Sequence, residues 1–194
     1  MMSKNKDYER RFIEIRAVDN EEDKMLIEGY AITYESPATH QYGSRKFTET
    51  IKRGALDNTD MKDVPLRYNH NDNVMIMART RNKSLRLIKD EKGLKIEAEL
   101  LDTQSNRDLY KGIQEGLIDK MSFAFTVREQ SYDVKTHTRR IVKINIVYDV
   151  SAVDIPAYDG TELQARSTEF FKEKIKEIQE KEARRKRLML LSEL

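Results

Sequence analysis

The stretch Gly93-Leu94-Lys95-Ile96-Glu97-Ala98-Glu99-Leu100 alternates apolar and charged residues without a break. Successive side chains of a strand point to opposite faces, so Leu94, Ile96, Ala98 and Leu100 share one face. Lys95, Glu97 and Glu99 share the other. This is the pattern of a strand with one face in a core and one in water. Just before it, Asp90-Glu91-Lys92-Gly93 carries turn chemistry. Earlier still, Leu85 and Leu87 alternate more loosely with Ser84, Arg86 and Ile88. Two strands joined by a short glycine-containing loop read as a hairpin.

Outward from this hairpin the same period of two recurs. Ile13, Ile15 and Ala17 alternate with Glu14 and Arg16. Leu26, Tyr30, Ile32 and Tyr34 are read as one face of a second run, with Gly29 inside it. Met121, Phe123, Phe125 and Val127 form another face, and Val142, Ile144, Ile146, Tyr148 and Val150 the longest. From Ser105 to Glu115 the period changes: Leu109 and Ile113 recur at helical spacing, and Leu117 extends the stripe. Ser105 with Asp108 resembles a capping box, and Gly116 is placed to stop the helix. A short helical turn is expected over Lys52 to Asn58, around Gly54-Ala55-Leu56. Many strands with one clear internal helix predict a β-rich α+β fold built on a barrel or sandwich.

Composition shifts after Ala165. Ser167 to Leu194 has no Gly or Pro and is dense in Lys, Glu and Arg. Phe171, Ile175 and Ile178 fall on one helical face, with Leu188 and Leu191 further on and Thr168 as the candidate cap. The organisation expected is a flexible N-terminus over 1–10, a domain over 11–166 and a charged helical tail over 167–194.

The chain has 194 residues, enough for one domain with a real core, and 36% of them are charged. Its net charge of +2 does not mark a nucleic-acid binder. Arg184-Arg185-Lys186-Arg187 lies among acidic residues and reads as a solvated helix face. No apolar run approaches a membrane span, and the start MMSKNKDYERRF lacks the apolar stretch of a signal peptide. With no cysteine, thiolate nucleophiles and Cys-based zinc sites are excluded. Cytoplasmic residence is expected.

Three histidines can act as a base. His40 and His137 lie in polar segments read as loops, PATHQYG and YDVKTHTRR. His70 stands where the apolar run Val64-Pro65-Leu66 passes into the polar Asn69-His70-Asn71-Asp72. Such a strand end fixes a side chain yet leaves it reachable. Ser122 alternates with Met121 and Phe123, so it points to the other face with Ala124 and Thr126; small neighbours leave room for a substrate carbonyl. By spacing alone it reads as a small residue on the outer face of a strand. Asp149 is an acid inside the apolar run Ile146 to Val153, where burial is costly without a partner. Asp154, at the strand exit before Pro156, is the competing acid, and surface exposure is the plain reading of both. No GxxxxGK[ST] phosphate loop and no HExxH metal motif is present.

Taken in order, the segments resemble one family. Gly29-Tyr30-Ala31, Phe47-Thr48-Glu49-Thr50-Ile51 with Gly54-Ala55-Leu56, Tyr68-Asn69-His70-Asn71 with Met77-Ala78-Arg79-Thr80, and Asp90 to Leu94 are similar to blocks of the HK97-type prohead (capsid maturation) serine proteases of tailed phages. So are Gly116 to Phe125, Asp149-Val150-Ser151-Ala152-Val153, and Pro156-Ala157-Tyr158, closing at Ala165-Arg166. Ala78 and Ala124 stand where such proteases often carry glycine, and Asp149 where they commonly carry Glu.

The resemblance implies a herpesvirus-protease-like β-barrel with flanking helices. It implies a serine endopeptidase with His70, Ser122 and Asp149 as its catalytic residues and no cofactor or metal. Arg79 is a further candidate for steadying the oxyanion. Substrates would be the phage scaffold protein, or a scaffold-like segment of the major capsid protein, and the protease itself. Action would be in the bacterial host cytoplasm, inside the assembling prohead, without nucleic acid or membrane as partner. Herpesvirus relatives activate by dimerising, which raises the expectation of a homodimer. The alternative from another class is a non-catalytic β-domain that scaffolds capsid assembly.

Overall fold

The structure is a computed structural model, and it describes residues 9–18, 24–42, 45–154 and 165–192. The expected flexible segment 1–10 lies outside the described residues except for its last two, which begin a strand. Ten strands follow in chain order: β1 (Glu9–Val18), β2 (Leu26–Thr33), β3 (Ala38–Tyr42), β4 (Arg45–Ile51), β5 (Pro65–Tyr68), β6 (Ala78–Arg79), β7 (Leu85–Lys89), β8 (Gly93–Glu99), β9 (Lys120–Asp133) and β10 (Thr138–Val153). The helices are α1 (Gln104–Gln114) and α2 (Ala165–Ser192). The chain divides into two units, Met1–Pro156 and Ala157–Leu194.

The strands form one mixed sheet in the order β3-β4-β10-β9-β1-β2-β8-β7, with β5 attached to β10 and β6 to β5. β10 organises it. It runs antiparallel to β9, parallel to β4 through its first half, and parallel to β5 through its last residues. The expected β-rich α+β fold is present as an open sheet: no backbone ladder joins β6 to β7 among the described residues. β6 has only two residues before the chain turns back, too few to extend a ladder. A side chain spans the gap instead: the Arg79 amide donates to Ser84 Oγ at 2.9 Å.

The β7–β8 hairpin is as the alternation predicts, with Leu94, Ile96, Ala98 and Leu100 all buried. Elsewhere bulges redirect the faces. In β2 the buried residues are Ile27, Ala31 and Ile32, because the β2–β8 register slips between Tyr30 and Ile32. A slip of one residue turns every later side chain over. The expected face of Leu26, Tyr30, Ile32 and Tyr34 is therefore split. In β10 the core residues Ile141, Ile144, Val147 and Val150 recur every third position, because four register shifts interrupt the β9–β10 ladder. A strict two-residue reading of that strand was bound to fail.

α1 is capped by Thr103, whose hydroxyl accepts from the Asn106 amide at 3.3 Å, rather than by Ser105. Leu109 and Ile113 enter the core, Gly116 takes φ +70 just past the end, and Leu117 is exposed. Buried Asn106 donates to the Leu101 carbonyl at 2.9 Å, tying the helix to the connection that leads in from β8. Residues 53–58 form consecutive turns instead of a helix. His40 lies in β3, not in a loop. α2 is described from Ala165, which puts Thr168 within its first turns.

Each fully buried large side chain, such as Phe47, Phe123, Leu66 or Ile96, contributes about 1.5–3 kcal/mol. A charged pair shares this interior. Arg139 Nη1 meets Glu49 Oε2 at 2.6 Å, both side chains 2% exposed, and Gln130 Oε1 accepts from the Arg139 Nε at 2.7 Å.

Candidate active site

β5 ends at Tyr68, and the next two residues, Asn69 and His70, both adopt φ +53. Left-handed backbone is tolerated by Asn and costs more for His. Neighbouring bonds hold it. The Asn69 amide donates to the Ala152 carbonyl at 2.9 Å, and the Asn71 amide to the Tyr68 carbonyl at 3.0 Å. The Asp154 amide donates to Asn69 Oδ1 at 3.3 Å. Arg67 Nη1 reaches the Asn71 carbonyl at 3.2 Å from the other side. The turn thus presents His70 against the end of β10.

There the last β9–β10 register shift, between Val147 and Asp149, sets the outcome. Beyond it Val150 and Ala152 face the core, while Asp149 and Ser151 face the other way, toward His70. His70 Nδ1 lies 2.5 Å from Asp149 Oδ1, with side-chain exposures of 2% and 10%. An ionised carboxylate has no proton to give, so Nδ1 must donate. The neutral ring then carries its lone pair on Nε2, which is also buried.

Ser122 lies directly across the β9–β10 ladder from Ser151, and Ala124 across from Asp149. Cross-strand partners share a face, with Cβ atoms about 4.5–5.5 Å apart. Ser122 therefore stands on the face that carries Ser151 and Asp149. Its neighbours Met121 and Phe123 point into the core. The Ser122 hydroxyl is fully buried and makes no hydrogen bond among the described residues. A hydroxyl, an imidazole and a carboxylate are thus collected at the meeting of β5, β9 and β10.

The other candidates fall elsewhere. Asp154 is exposed and accepts from the Tyr68 hydroxyl at 2.6 Å, so of the two acids Asp149 is the one that reaches His70. His137 lies in the turn between β9 and β10, its Nδ1 3.1 Å from the Tyr132 hydroxyl. Arg79 is committed to Asp63, with Nη2 to Oδ2 at 2.8 Å. Sequence reasoning passed over Ser151, which touches both His70 and Asp149. Its signal was available: a small polar residue two places after Asp149, hence on the same strand face.

The His70–Asp149 pair, with Ser122 on the same side of the neighbouring strand, is the residue set that serine hydrolases use; among the described residues no hydrogen bond joins Ser122 to His70. The family model for the caudovirus prohead serine proteases matches residues 11–176, and the chain belongs to that family. The match continues past Arg166 into α2. No curated protein and no solved structure matches the chain. The family is one of hydrolases acting in phage capsid maturation. No helix among the described residues is long and apolar enough to cross a membrane.

Proposed function

We propose that the chain is the endopeptidase of its prohead, with Ser122 as nucleophile, His70 as general base and Asp149 as the group that orients the ring. The contact between His70 Nδ1 and Asp149 Oδ1 carries this reading, because it leaves the basic lone pair on Nε2. Ser122 Oγ attacks the peptide carbonyl carbon and its proton passes to Nε2. The carbonyl π electrons move to oxygen. Collapse of this intermediate breaks the C–N bond, and the imidazolium gives its proton to the leaving amine. Water then repeats the sequence and releases Ser122. The substrates are the scaffold protein or a scaffold-like segment of the capsid protein, and the protease itself, within the assembling prohead.

Ser122 has no exposed surface, so the cover over the site must open before a peptide reaches it. Full burial also favours the rival reading, a catalytically silent assembly domain. A fluorophosphonate separates the two. An adduct on the peptide containing Ser122, lost in His70→Ala, supports the protease; no adduct on the wild type supports the rival. The exposed charged face of α2, including Arg184 to Arg187, serves in this reading to dock the enzyme on helical scaffold partners. Deleting residues 177–194 is expected to lower the amount of protease packaged while leaving that adduct intact.

A further inference from the structure

Ser151 is fully buried between the two groups that define the site. Three contacts converge on its hydroxyl oxygen. The His70 backbone amide donates to it at 3.2 Å. Asp149 Oδ1 lies 3.1 Å from it, and His70 Nδ1 also 3.1 Å. The single hydroxyl proton can serve one acceptor. Nδ1 already donates to Asp149, so the Ser151 proton goes to Asp149 Oδ1. The carboxylate oxygen therefore receives two donors, one from the imidazole and one from Ser151.

From this geometry we infer that Ser151 is a positioning residue for the proposed reaction. It acts through His70 and Asp149 and never touches substrate. Its oxygen anchors the His70 amide at a left-handed backbone position where an unsatisfied, buried N–H would add to the existing strain. Its proton fixes the carboxylate rotamer against the ring. Since Ser151 faces Ser122 across the ladder, one side chain sets the base beside the strand that carries the nucleophile. The inference rests on the protease reading above.

The test follows the rate of Ser122 phosphonylation by a fluorophosphonate at increasing reagent concentration. The limiting rate and the half-saturating concentration are read separately. Ser151→Ala is expected to lower the limiting rate at least tenfold and leave half-saturation unchanged. Ser151→Thr, which keeps the hydroxyl, is expected to restore most of the rate. Should Ser151→Ala fail to fold, Ser151→Cys keeps the shape with a poor donor and is expected to show the same loss. Wild-type rates in the Ala or Cys variant would overturn this role and leave the protease reading intact. Equal losses in the Thr and Ala variants would overturn it too, since packing rather than the hydroxyl would then matter. A wild type that takes no label at Ser122 would remove the protease reading and this inference with it.

Discussion

His70 Nδ1 and Asp149 Oδ1 stand 2.5 Å apart across 79 residues of sequence, one on a strained turn after β5 and the other just past a bulge in β10. The pair works only if the carboxylate accepts. Asp149→Asn keeps the shape but presents an amide that can donate to Nδ1, which would move the ring proton to Nε2. The proposed mechanism then loses its base. Turnover is expected to fall by roughly 10³–10⁴ with the fold unchanged, as in triads of this type generally. Peptide cleavage rates alongside far-UV circular dichroism check this; activity within tenfold of wild type would remove Asp149 from the site.

The buried Glu49–Arg139 pair predicts an asymmetry in stability. Glu49→Leu leaves a buried guanidinium without its carboxylate and is expected to cost about 3–5 kcal/mol. The double variant Glu49→Leu, Arg139→Met removes both charges and is expected to be more stable than Glu49→Leu alone. Urea denaturation of the set measures this directly. A double variant at least as unstable as the single one would contradict it.

Gly93 opens β8 where the backbone of β2 comes too close for a side chain. A Cβ there would lie 1.8 Å from the Ile32 carbonyl oxygen and 2.7 Å from its carbon. Both atoms are backbone, so the β2–β8 ladder would have to part. Gly93→Ala is expected to destabilise by about 3 kcal/mol or more, read as a lowered denaturation midpoint.

The Asp63–Arg79 pair gives a pH dependence with a definite sign. The hydrogen bond from Arg79 is the main force holding the Asp63 carboxyl below its usual range; desolvation opposes it, and the charges of Arg79 and Arg81 add to it. A folded-state pKa below the unfolded value adds stability above the unfolded value, about 3.9. That contribution disappears as pH falls through the lower folded value. The pair is partly solvent-exposed, so the effect is small and salt-sensitive. Asp63→Asn is expected to lower the melting temperature slightly at pH 7, by an amount that shrinks as pH falls through the acid range.

How far the sequence could be read depended on whether local pattern or long-range register decided each position. The β8 alternation needs only its own residues, so Leu94, Ile96 and Ala98 lie where the pattern puts them. Leu109 and Ile113 follow the same logic in α1. β2 and β10 could not be read this way, because their bulges arise from pairing with distant strands. Ser122 and His70 stood out by residue type and by the family blocks. The residues alone left Asp149 and Asp154 open, and only the family resemblance pointed to Asp149, whose turn toward His70 follows the Val147/Asp149 shift. Ser151 stayed hidden because its role exists only in contacts between β10 and the turn after β5.

The most direct measurement is co-expression with the neighbouring capsid and scaffold proteins, wild type against Ser122→Ala, read by intact mass. Shortened shell proteins or protease that vanish in the Ser122→Ala lane are predicted, and their termini would mark the cleavage sites. Identical masses in both lanes, with shells assembled, would contradict the assignment of Ser122 as the nucleophile.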